Sequence, residues 1–190
     1  VISCAEGDTR TIHIHWAPSE PGRYLDASAW TTQAVPATQK VTRWMFALPM
    51  DVDGKHGLDL VVGSKEPDAL IAWLESPQNP RDLSGWKMHT LRPASWIMSL
   101  IAADMNGDGR TDILFSDRKG AKTGIGWLEK PAAGGLHGPW PVHLIGGKGL
   151  EVMFISMADL DGDGAAEILA AVKPDRILIL HRESADGLRW

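Results

Sequence analysis

The sequence predicts an all-β chain built from units of four short antiparallel strands, and three observations predict it. An oxygen-rich loop recurs as DVDGKHGLD (Asp51–Asp59), DMNGDGRTD (Asp104–Asp112) and DLDGDGAAE (Asp159–Glu167), with starts 53 and 55 residues apart. A tryptophan mark recurs out of phase with it, as WTTQAV from Trp30, WKMHTL from Trp86 and WPVHLI from Trp140. Between them lies a third mark, IAWLESP ending at Pro77 and IGWLEKP ending at Pro131, with a looser IHIHWAP ending at Pro18. Runs rich in Val, Ile and Leu, bounded by Gly, Pro and Asp, fill the intervals and favour strands over helices. Four strands at a period of about 50 residues describe a β-propeller blade, a sheet whose two faces must be covered by neighbours.

Taken in order, residues 1–35 supply the second, third and fourth strands of a unit entered partway. The unit 42–91 is complete, with strands at 42–50, 58–64, 69–75 and 86–91. The unit 95–145 is complete as well, with strands at 95–103, 111–117, 124–129 and 140–145. The unit 151–190 gives strands at 151–158, 166–172 and 176–181. Residues 1–190 therefore read as one propeller segment of two complete and two partial repeats, about three and a half blades. The irregular stretches near 17–29 and 76–85, with Pro and Ser, read as outer connections. Trp73 and Trp127 hold matching places in the repeat, as do Trp86 and Trp140. Side chains of that size usually go inward, so they are read as filler between blades in preference to a sugar-stacking row.

Composition narrows the function classes. The chain has 190 residues, 44% hydrophobic, enough for a real core. Its net charge is −5, from 19 basic and 24 acidic residues, and no basic run offers a footprint for nucleic acid or an anionic membrane. No apolar stretch approaches the length of a membrane-spanning helix. One cysteine, Cys4, gives no internal disulfide framework.

The loops carry the clearest chemistry. In the second, Asp104, Asn106, Asp108 and Asp112 stand at the first, third, fifth and ninth places, and the Arg110 carbonyl can join them. The third repeats this with Asp159, Asp161, Asp163, Glu167 and the Ala165 carbonyl. Alternate short carboxylates converge on one point, and Ca²⁺ takes about six to eight such oxygens. The loop is shorter than an EF-hand loop, lacks its closing twelfth-position Glu, and runs into a strand. In the first loop Asp51, Asp53 and Asp59 keep the pattern, but Lys55 stands at the fifth place and His56 at that of the second glycine. Lys55 removes one anionic ligand, and its ammonium can occupy the cation's place. Two calcium sites are thus expected, with the first loop balanced between a weak third site and a metal-free Asp/Gly turn.

These residues resemble the FG-GAP/VCBS repeat family, typified by the N-terminal propeller of integrin α chains. The resemblance rests on ADMNGDGRTDILFSD, ADLDGDGAAEILAAV and the weaker PMDVDGKHGLDLVVG. It implies a structural Ca²⁺ in each loop that keeps the motif and a larger, typically seven-bladed ring. It also implies an extracellular or periplasmic scaffold for carbohydrate or protein ligands. Since the ends fall inside repeat units, the expectation is a piece of a longer protein, the alternative being a second copy that completes the ring. Some propeller enzymes acting on sugars, lyases and dehydratases among them, have similar blades, and a fragment of one is the alternative function.

Nothing else in the sequence makes a catalytic constellation. His13 and His15 lie two apart on a strand, half of a metal pair at most, and are read as ordinary surface residues. His89 and His143 hold matching places, as do Glu75 and Glu129, which points to blade packing. His137 sits in a Gly/Pro connection and says little. Arg43 and Glu151 flank the innermost strands as the only charged channel candidates. No nucleophile elbow, phosphate-cradling loop or metalloprotease motif is present.

Overall fold

Strands form where β-branched and aliphatic residues alternate between two faces, and here both faces are apolar. The computed structural model describes residues 1–190 and folds them into four antiparallel sheets. The first blade has β1 (Ile2–Cys4), β2 (Ile12–Trp16) and β3 (Thr31–Ala34). The second has β4 (Arg43–Met50), β5 (Asp59–Lys65), β6 (Leu70–Glu75) and β7 (Lys87–Pro93). The third has β8 (Ile97–Ala103), β9 (Asp112–Asp117), β10 (Gly124–Leu128) and β11 (Val142–Gly146). The fourth has β12 (Val152–Ala158), β13 (Glu167–Val172) and β14 (Arg176–Leu180). Each blade is a meander in chain order, and short 3₁₀ turns such as Leu83–Gly85 and Ala133–Gly135 punctuate the connections. The second, third and fourth blades stand side by side through their first strands, β4 on β8 and β8 on β12; the first blade, entered at its second strand, lays β1 on β4, and the blades do not close into a ring.

Alternation assigns each residue to one of three interfaces. On β5, Leu60 and Val62 point to the first blade and Val61 to the third; on β9, Ile113 and Phe115 point to the second and Leu114 to the fourth. Trp73 packs between the second and third blades and Trp127 between the third and fourth. Trp86 and Trp140 fill the preceding interface in each case, and all four are buried. Burying one indole removes about 150–250 Å² from water, roughly 4–6 kcal/mol as an upper bound. Gly63 is fixed by this contact, because a Cβ there would sit 2.7 Å from Ile97 Cγ2 of the next blade.

The backbone irregularities repeat as faithfully as the side chains. The first strand of the second, third and fourth sheets slips register at one place: Trp44/Phe46 in β4, Ile97/Ser99 in β8 and Val152/Ile155 in β12. A bulge adds local twist, so its recurrence gives each inner strand the same bend. One buried polar knot departs from the repeat. Asp117 accepts from Trp96 N at 2.8 Å and Ser95 N at 3.1 Å, and Arg92 Nη1 lies 3.4 Å away, stacked on Phe115. Burial pushes the Asp117 carboxyl up, against those N–H groups and the Arg92 charge, and pushes the Arg92 guanidinium down.

Candidate metal centres

The three oxygen-rich loops join the first and second strands of the second, third and fourth blades, so they emerge at one end of the molecule. Each is wound by short side chains that accept the N–H two residues on. Asp53 Oδ1 takes Lys55 N at 2.9 Å, Asn106 Oδ1 takes Asp108 N at 3.1 Å, and Asp161 Oδ1 takes Asp163 N at 3.1 Å. At the fifth place Asp108 and Asp163 do the same for Arg110 N at 2.8 Å and Ala165 N at 2.7 Å. The first-place carboxylates Asp51, Asp104 and Asp159 accept from Gly54, Gly107 and Gly162 at 2.7–2.8 Å. Gly107 and Gly109 take φ of +77° and +80°, and His56 is held at +58° in the place of the second glycine.

The ninth-place carboxylates are used differently. Asp59, Asp112 and Glu167 are buried at the start of their strands and clasp the loop from beneath. Asp59 accepts from Val52 N at 3.0 Å and Ser76 N at 2.8 Å; Asp112 accepts from Met105 N at 2.9 Å and Lys130 N at 2.8 Å. Glu167 accepts from Leu160 N at 2.8 Å. Each clasp ties the loop to the strand it enters, and the first two reach on to Ser76, one residue past β6, and Lys130, two residues past β10. Burial pushes the Asp59 and Asp112 carboxyls up against these bonds, and the charges of Asp108 and Asp104 push Asp112 further. Asp104 also feels burial, but the N–H groups of Gly109, Gly107 and Asp108 outweigh it and hold its carboxyl below the usual range.

Convergence varies from loop to loop. Asp51, Asp53 and Asp59 bring one oxygen each within 4.8 Å of one another, and Asp159, Asp161 and Asp163 do likewise. In the second loop the carboxylates do not gather in this way. Asp108 Oδ2 pairs with the Arg110 guanidinium at 2.5 Å and accepts from Asn106 Nδ2 at 2.9 Å. In the first loop Asp53 Oδ2 is buried and accepts no hydrogen bond, while the Lys55 ammonium lies 3.2 Å from it in an ion pair. Such an orphaned oxygen fits a cation, and the ammonium is the nearest one. Lys55 thus sets its own charge beside Asp53 in the first loop, and Arg110 pairs with Asp108 in the second.

Residues 51–115, which hold the first two loops and the strands between them, match the family of FG-GAP-like repeats. The chain carries an FG-GAP-like repeat. No curated protein matches it. The matched residues span the second blade's inner loop to β9 of the third, and the sheets around them are antiparallel blades of the kind a propeller stacks. The third loop, Asp159–Glu167, lies outside the matched residues yet repeats the same hydrogen bonds.

The histidines fall where the repeat puts them. His15 is held by Ser3 Oγ at 2.8 Å and Thr32 Oγ1 at 2.9 Å, which uses both ring nitrogens, and His13 stacks beside it at 6.4 Å. Glu151 pairs with Arg118 at 2.5 Å and Arg43 is exposed. Two mixed groups come together that sequence spacing does not show: Asp161, Glu167 and His181, and Glu75, His89 and His137. Asp161 and Glu167 share the third loop, but His181 comes from beyond β14, and His137 reaches Glu75 and His89 from the next blade, so packing and not spacing completes both groups.

Proposed function

We propose that this chain is a calcium-braced propeller segment working outside the cytoplasm as a scaffold that recognises a carbohydrate or protein ligand. The observation that carries it is the hydrogen-bonded frame common to all three loops, with three carboxylates gathered at one point in Asp159–Glu167. Asp104, Asn106, Asp108 and Asp112, with the Arg110 carbonyl, would hold one ion; Asp159, Asp161, Asp163 and Glu167, with the Ala165 carbonyl, another. A bound divalent cation relieves the mutual repulsion of these carboxylates and locks the turn between two strands. Its role is to brace the hairpins that carry the ligand-facing connections. Extracellular modules of this kind bind calcium at about 10⁻⁴–10⁻³ M, which suits a calcium-rich exterior.

The test is calorimetric titration with Ca²⁺ alongside thermal unfolding. Two equivalents are expected, each raising the melting temperature, and Asp163→Ala should abolish one and roughly halve the gain. A melting temperature indifferent to calcium in the parent chain would sink the reading. The ligand class is then read from binding of the calcium-loaded chain to an oligosaccharide panel.

A further inference from the structure

Away from the loops, three side chains of metal-binding type meet across a blade interface. Glu75 ends β6 and His89 lies in β7, both in the second blade; His137 comes from the connection between β10 and β11 of the third. His89 Nε2 lies 2.8 Å from Glu75 Oε2, His137 Nε2 lies 3.6 Å from the same oxygen, and the three ligand atoms all lie within 4.8 Å of one another. We propose that Glu75, His89 and His137 bind a zinc-like transition-metal ion that joins the second blade to the third. Tetrahedral zinc with bonds of about 2.0 Å spaces its ligand atoms about 3.3 Å apart. The two measured separations bracket that value, so small rotations of the imidazoles, without backbone change, complete the set.

The repeat supplies an internal control. In the third blade His143 Nε2 lies 2.8 Å from Glu129 Oε2 with its ring 4.3 Å from Trp127, as His89 lies 4.8 Å from Trp73. Blade packing therefore accounts for the His–Glu pair by itself. It does not account for His137, which reaches in from another blade and lies too far from Glu75 for a good hydrogen bond. Its neighbour Leu136 is buried, and the Leu136 carbonyl accepts from Trp140 Nε1 at 3.0 Å, so the connection is anchored one residue away. The His137 ring then packs on Trp73 at 5.3 Å and edge-on to His89 at 4.7 Å. Its side chain is 52% exposed, which leaves an open path for an ion and a fourth position for water. Two imidazoles and one carboxylate suit zinc, copper or nickel, whereas the all-oxygen loops suit calcium, so the two kinds of site sort cations by chemistry.

The test is calorimetric titration of Zn²⁺ into the chain in millimolar Ca²⁺, repeated on His137→Ala, His137→Gln, His143→Ala and His181→Ala. One zinc is expected in the parent chain. Both His137 variants should weaken it at least about tenfold, since even changes beside a ligand cost about 10–100-fold. His143→Ala and His181→Ala should leave it unchanged. Cobalt(II) in place of zinc should give a visible absorption band that the His137 variants lose. Absence of zinc binding overturns the proposal, as does loss in His181→Ala with His137→Ala unaffected, which puts the ion at Asp161, Glu167 and His181. Neither readout depends on whether the loops take calcium.

Discussion

At the scale of single residues, two cations set how ready each loop is for a metal. Lys55 stands 3.2 Å from a buried oxygen of Asp53 that accepts no hydrogen bond. Lys55→Asp removes that ammonium and adds a ligand, and should raise calcium affinity at the first loop about tenfold or more, read by calorimetry. Arg110 is the subtler case, because its carbonyl is a candidate ligand while its guanidinium pairs with Asp108. The pair is partly exposed, and such pairs are worth about 0.2–1 kcal/mol. Arg110→Ala should therefore tighten calcium by only about 1.4- to 5-fold, with the carbonyl kept. The Asp and Gly places of these loops are legible in the sequence, because the spacing itself dictates the turns. The direction of Arg110 is not, since its Nε also finds the Lys130 carbonyl at 2.9 Å, a partner 20 residues away. The inward clasp of Asp112 is hidden for the same reason.

At the scale of strands and blades, the repeat makes the positions of β4 to β14 legible within a few residues. Both faces of each blade are apolar, so alternation marks strands but does not say which neighbour each residue meets; the 53- and 55-residue offsets do. What the offsets cannot show are links peculiar to one interface. Arg118 and Glu151 form one such link, between the end of β9 and the start of β12, with Nε to Oε1 at 2.7 Å. The Arg118 hydrogen bond, with the charges of Arg118, Lys173 and Lys119, overrides slight burial and holds the Glu151 carboxyl below its ordinary value of 4.5. A carboxylate lowered by folding stabilises the fold above the ordinary value and loses that contribution as pH falls through its lowered one. Glu151→Gln should accordingly lower the melting temperature at pH 7, and the gap to the parent should close as pH drops below 4.5. A gap unchanged by acid would mean the glutamate acts through packing alone.

At the scale of the whole molecule, three interfaces are filled and the outer face of the fourth blade is open. Ile177 and Ile179 on β14 and Phe154 on β12 are exposed, while Leu178 and Leu180 between them pack inward on the third blade. An apolar sheet face of this kind draws other surfaces to it. The chain alone should self-associate as concentration rises, and Ile177→Lys should suppress this in sedimentation experiments while leaving the melting temperature within a few degrees. The same open face marks out the third loop. The second residue of the first two loops, Val52 and Met105, is sealed at 0% exposure by the next blade, but its counterpart Leu160 is 50% exposed. Whatever seats on that face will grip Leu160, and through the Leu160 N–H the clasp of Glu167. Were that seating to tighten the loop's hold on an ion, the ion would strengthen the seating by the same factor.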